Sequence, residues 1–77
     1  MKRKILQISH DSTILKDGKI VSTATNIAIF ADKITCIHRE NARINVAYLE
    51  GLAYMDYASE EKAKCEYESM LNFLQSE

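Results

Sequence analysis

Asn41-Ala42-Arg43-Ile44-Asn45-Val46-Ala47-Tyr48-Leu49-Glu50-Gly51-Leu52-Ala53-Tyr54-Met55-Asp56-Tyr57-Ala58 is the stretch that decides the fold, because it reads either as a helix ending near Gly51 or as a hairpin turning there. A helix would need one apolar stripe at a period of 3.6, yet residues 46–49 and 52–55 are apolar in unbroken runs that would wrap it on every side. A hairpin with Glu50-Gly51 as its two-residue turn orders them better. Leu49 then opposes Leu52, Tyr48 opposes Ala53 and Val46 opposes Met55, so that Ile44, Val46, Tyr48, Ala53, Met55 and Tyr57 share one face. The other face holds Ala47, Leu49, Leu52 and Tyr54.

Working outward, Ser59 is a good helix N-cap and Glu60 and Glu61 suit the positive end of a helix dipole. Ala63, Tyr67, Met70 and Leu74 follow at helical spacing, widened by Leu71 and Phe73, and predict a helix over 59–75 packed on a sheet. Upstream, Asp17-Gly18 between Ile14-Leu15 and Ile20-Val21 is a hairpin signal, since a tight turn needs positive φ at both central residues. Leu6 and Ile8 share one face of a first strand, and Ile27 and Ile29 one face of a later one. Ile34, Cys36 and His38 alternate onto one side of another. The expected fold is therefore α+β, an antiparallel β-meander of four to six short strands with one C-terminal amphipathic helix on one face. Residues 1–77 read as a single domain, with strands over 1–58 and the helix at 59–75.

At 77 residues the core must be thin, because a chain of this size buries only about 60% of the surface it exposes when unfolded. A deep pocket is not expected. Residues 1–43 carry eight Lys/Arg against four acids, and the remainder two lysines against seven acids, within a total net charge of -1. The basic half offers Lys2, Arg3, Lys4, Lys16, Lys19 and Lys33 to an anion, though its only aromatic is Phe30, so charge and stacking groups are not interleaved. No signal-peptide pattern and no apolar run of membrane-spanning length is read, so a cytoplasmic location without membrane contact is expected.

Chemistry is sparse. Two glycines cannot build a phosphate-cradling or dinucleotide loop. Cys36-x-His38 has the spacing of two ligands on one strand face, but zinc takes four, and only His10 and Cys65 remain among the histidines and cysteines. Cys36 is expected as a small core residue, Cys65 as an exposed thiol on the helix, and no metal, cofactor or catalytic residue is assigned. One helix covers one side of a sheet, so the second apolar face of the 44–57 hairpin must either close a barrel against earlier strands or meet a partner. The reading that follows is a small non-enzymatic interaction module, of an accessory, regulatory or inhibitory kind, acting by surface contact with a protein. A homodimer pairing through Ala47, Leu49, Leu52 and Tyr54 is the expected assembly. The alternative is binding of single-stranded nucleic acid or a nucleotide on the basic half.

Overall fold

The computed structural model describes residues 4–76. It contains β1 (Ile5–Ile8), β2 (Ser12–Lys16), β3 (Lys19–Ala24), β4 (Ile27–Phe30), β5 (Ile34–Glu40), β6 (Arg43–Tyr48), β7 (Gly51–Asp56) and α1 (Glu60–Gln75), with a single 3-10 turn at Ala31–Lys33. Among the described residues all strand pairs are antiparallel and one helix follows the last strand, the α+β class expected, with seven strands rather than four to six.

The strands form two sheets. β5, β6 and β7 make a meander that β2 and β3 extend, in the order β3-β2-β7-β6-β5, while β1 pairs with β4 alone. β1 and β2, adjacent in sequence, therefore part company at Ser9–Asp11 and enter different sheets. Together α1 and the β1/β4 pair cover one face of the five-stranded sheet. Ile44, Val46 and Met55 are fully buried there against Leu6, Ile8 and Ile29 from β1 and β4 and Ala63 and Met70 from α1. Fully burying one such side chain contributes about 1.5–3 kcal/mol, so this single cluster carries most of the hydrophobic stabilisation.

Local chemistry explains the elements. Asp17 and Gly18 both have positive φ, at 55° and 77°, which lets Lys16 pair with Lys19 across a tight turn whose twist suits the strands. Ser59 caps α1, its Oγ accepting from the Lys62 N–H at 3.2 Å. At the other end Lys4 Nζ donates to the carbonyls of Phe73 and Ser76, placing a cation where the helix dipole is negative and tying β1 to the end of α1. Arg39 reaches Glu60 Oε2 at 3.3 Å, and the Tyr67 hydroxyl lies 3.5 Å from the Ile37 carbonyl, so α1 is held to β5 along its length.

Two expectations are corrected. The 44–57 segment is a hairpin, but its turn residues are Leu49 and Glu50: Tyr48 pairs with Gly51, Val46 with Ala53 and Ile44 with Met55. The register lies two residues from the predicted one, so side-chain parity is kept and the same face is buried. Gly51 belongs to β7 and has no positive φ; a β-carbon on it would overlap the carbonyl oxygen of Leu15 on β2. In β5, pairing passes from Ile34 opposite Tyr48 to Cys36 opposite Ala47, leaving Thr35 as a bulge. That extra residue inverts the alternation, so Ile37 and Arg39 turn towards α1 while Cys36 and His38 face away. Cys36 is exposed rather than a core residue.

Candidate protein-contact surface

The face of the five-stranded sheet turned away from α1 can be built row by row, since directly paired residues share a face. One row runs Ile20–Leu15–Leu52–Ala47–Cys36 across all five strands. The next runs Thr23–Thr13–Tyr54–Asn45–His38, and a third contains Asp56, Arg43 and Glu40. The face is thus graded along its strands from apolar to neutral polar to charged. Asn45 Nδ2 donates to His38 Nε2 at 3.4 Å within the polar row.

At the charged end Arg43 forms a fork with Asp56, Nε to Oδ1 at 2.7 Å and Nη2 to Oδ2 at 3.0 Å, while its guanidinium lies 4.1 Å from the centre of the Tyr54 ring. The hydrogen bond to Arg43 holds the Asp56 carboxyl below its ordinary range, and the same bond raises the Arg43 guanidinium. Both side chains are largely solvated, so the pair fixes geometry more than it adds stability.

Of the residues assigned to self-association, Ala47, Leu52 and Tyr54 lie together on this face, half-buried by their strand neighbours. Leu49 does not share a strand with them; it projects from the turn at the apolar end, 70% exposed. The structure adds Leu15 and Ile20, brought alongside Leu52 by the β2/β7 and β2/β3 pairings, with Ile20 63% exposed. Sequence reasoning missed these two because the pairing of β2 with β7 is non-local and leaves no mark in either strand. A barrel does not close, because β2 and β3 extend the sheet sideways, and among the described residues the packed layer lies on the opposite face.

The proposed anion-binding lysines do not converge. Lys4 is spent on the end of α1, and Lys33 pairs with Glu50 at 3.2 Å. Lys16 and Lys19 flank the Asp17-Gly18 turn, exposed and on the side facing α1. Lys2 and Arg3 lie outside the described residues. Among the described residues no three His, Cys, Asp or Glu side chains gather in a way that would hold a metal ion, and none of the described helices is long and apolar enough to cross a membrane.

On the other side of the molecule a half-open groove of about 510 Å³ runs between β1 and α1, larger than a chain this short was expected to hold. His10 closes one end, its ring stacked on Tyr57 with centroids 4.1 Å apart and Nε2 donating to the Asp56 carbonyl at 2.8 Å. Burial, with Glu66 nearby, pushes the Tyr57 phenol up to about 12. Compared with protein-family models, curated proteins and solved structures, the chain matches none.

Proposed function

We propose that this protein is a small non-enzymatic module of the cytoplasm that acts by surface contact with protein, of an accessory, regulatory or inhibitory kind, and that it pairs as a homodimer through the outer face of its five-stranded sheet. The observation that carries this reading is the continuous apolar row Ile20–Leu15–Leu52–Ala47–Cys36, flanked by exposed Leu49, on a face that nothing among the described residues covers. Contiguous apolar surface rimmed by polar groups is what soluble chains use for contact with other proteins.

The β6/β7 pairs support a second copy as the occupant. Each couples unlike side chains: Leu52 with Ala47, Tyr54 with Asn45, Asp56 with Arg43. A two-fold axis running along the strands between β6 and β7 therefore sets large against small in the first two rows and opposite charges in the third. A face that complements itself in both size and charge favours self-pairing over pairing with an unrelated surface. Binding of nucleic acid on the basic half has less to stand on. Its lysines point to different places, and Tyr54, the aromatic of the outer face, already carries Arg43 on its ring.

The contact surface is read from amide chemical shifts recorded on dilution. Shifts that change together at Leu15, Ala47, Leu52 and Tyr54 support the reading. Shifts that move only on α1, or nowhere, contradict it.

A further inference from the structure

The groove between β1 and α1 has one wall made of backbone. The bond from the Ala31 N–H to the Lys4 carbonyl, at 2.8 Å, sets the phase of the β1/β4 ladder. Antiparallel pairs alternate, so Leu6 and Ile8 direct their N–H and C=O groups at Ile29 and Ile27 of β4. Ile5 and Gln7 direct theirs the other way, into the groove. No strand among the described residues pairs with that edge.

The edge is also unguarded. Exposed edges in folded proteins are commonly blunted by bulges, prolines or charges. The outer strands of the five-stranded sheet follow that pattern: β3 pairs through an irregularity opposite Ile14/Leu15, and β5 carries the bulge at Thr35 together with Arg39 and Glu40. β1 reads Ile-Leu-Gln-Ile, with no charge, and its register with β4 is unbroken. Its four residues give an edge about 13 Å long, enough for a short segment to add as a strand.

The opposite wall is a side of α1 with Glu66, Ser69 and Phe73, and Leu6 and Met70 form the floor. Among the described residues Glu66 is the one formally charged side chain lining the groove; the Lys4 ammonium beside Phe73 is bound to the carbonyls that end α1, and Glu66 also lines an adjoining hollow with Glu61 and Lys62. A strand laid here would place alternate side chains over the apolar floor and meet a carboxylate at the rim. We propose that this groove binds an extended peptide of alternating apolar and basic residues, which adds to β1 as an antiparallel or parallel strand through the backbone groups of Ile5 and Gln7. The site lies across the molecule from the dimer face and stands independently of it.

The test uses an acetylated heptapeptide alternating valine with lysine, and the same peptide N-methylated at alternate backbone nitrogens. Added to the full chain, the first should slow amide exchange at Ile5 and Gln7 about tenfold while leaving the already paired Leu6 and Ile8 little changed. The N-methylated peptide, with the same side chains and charge, should bind at least about tenfold more weakly. Glu66→Lys should weaken the first peptide roughly fivefold. Leu52→Glu, which alters the other face, should bind it as the parent does, so failure of the dimer and failure of this site are told apart. Absence of binding, equal binding of the two peptides, or unchanged exchange at Ile5 and Gln7 would overturn the proposal.

Discussion

Gly51 of β7 lies so close to the carbonyl oxygen of Leu15 on β2 that a β-carbon at this position would overlap it. The obstacle is backbone, which cannot swing aside as a side chain would. Gly51→Ala should therefore cost about 1–3 kcal/mol, the range of other overpacked sites, and loosen the β2/β7 seam that brings Leu15 beside Leu52. Gly18, in open space, needs its hydrogen for positive φ alone, and Gly18→Ala should cost about 1–2 kcal/mol. Urea unfolding of both variants checks this; a neutral Gly51→Ala would mean that β2 does not pair with β7 as described.

Met70 is buried in the centre of the core while Leu74, one turn later, is only half-buried. Met70→Ala should cost about 2–5 kcal/mol and Leu74→Ala distinctly less, since the second leaves a smaller cavity. Equal losses in chemical denaturation would show that the helix sits further along the sheet than the structure places it.

The Ser59 cap is a separable contribution to α1. Ser59→Ala should destabilise by about 1 kcal/mol, as for other N-caps, whereas Ser59→Asp should hold the parent's stability because its carboxylate accepts the same bond and meets the helix dipole. Thermal melts followed by helix ellipticity distinguish the two.

Tyr57 sets an alkaline limit. Its phenol is raised from 10.0 to about 12 in the fold, so the neutral form is favoured there and the unfolded chain ionises first. The stability this contributes is whole below about pH 10 and lost as pH climbs towards about 12. Tyr57→Phe keeps the stack on His10 and should flatten that part of the stability profile. An unchanged alkaline limb in the variant would assign the loss to another group.

What could be read from the sequence was local. Ser59, Glu60 and the Ala63–Tyr67–Met70–Leu74 spacing announce α1, and Asp17-Gly18 announces its hairpin, because each signal lies within a few residues of the structure it produces. The buried face of β6 and β7 was legible too: a register error of two residues leaves side-chain parity intact, so Val46 and Met55 were placed correctly with the wrong partners. Three features were not legible, each for a distinct reason. The bulge at Thr35 adds one residue to a strand whose alternation looks regular without it, and so moves Cys36 and His38 to the opposite face. Gly51 resembles a turn glycine, but its neighbour in space is Leu15, thirty-six residues earlier in the chain. The desertion of β2 by β1 in favour of β4 depends on a core that no local window contains. For the contact surface the consequence is that Ala47, Leu52 and Tyr54 were found from parity, while Leu15 and Ile20 needed the sheet.

The measurement that bears most directly on the contact reading is the mass of the protein in solution, by sedimentation equilibrium on the parent and on Leu52→Glu. Leu52 stands in the middle of the apolar row, half-buried and outside the core cluster, so a carboxylate there would be desolvated against Ala47 of the second copy without entering the folded core. The account predicts a parent of twice the chain mass at micromolar concentration, and a variant of single mass whose helix ellipticity matches the parent's. A parent of single mass, or a Leu52→Glu variant that keeps the double mass, would contradict it.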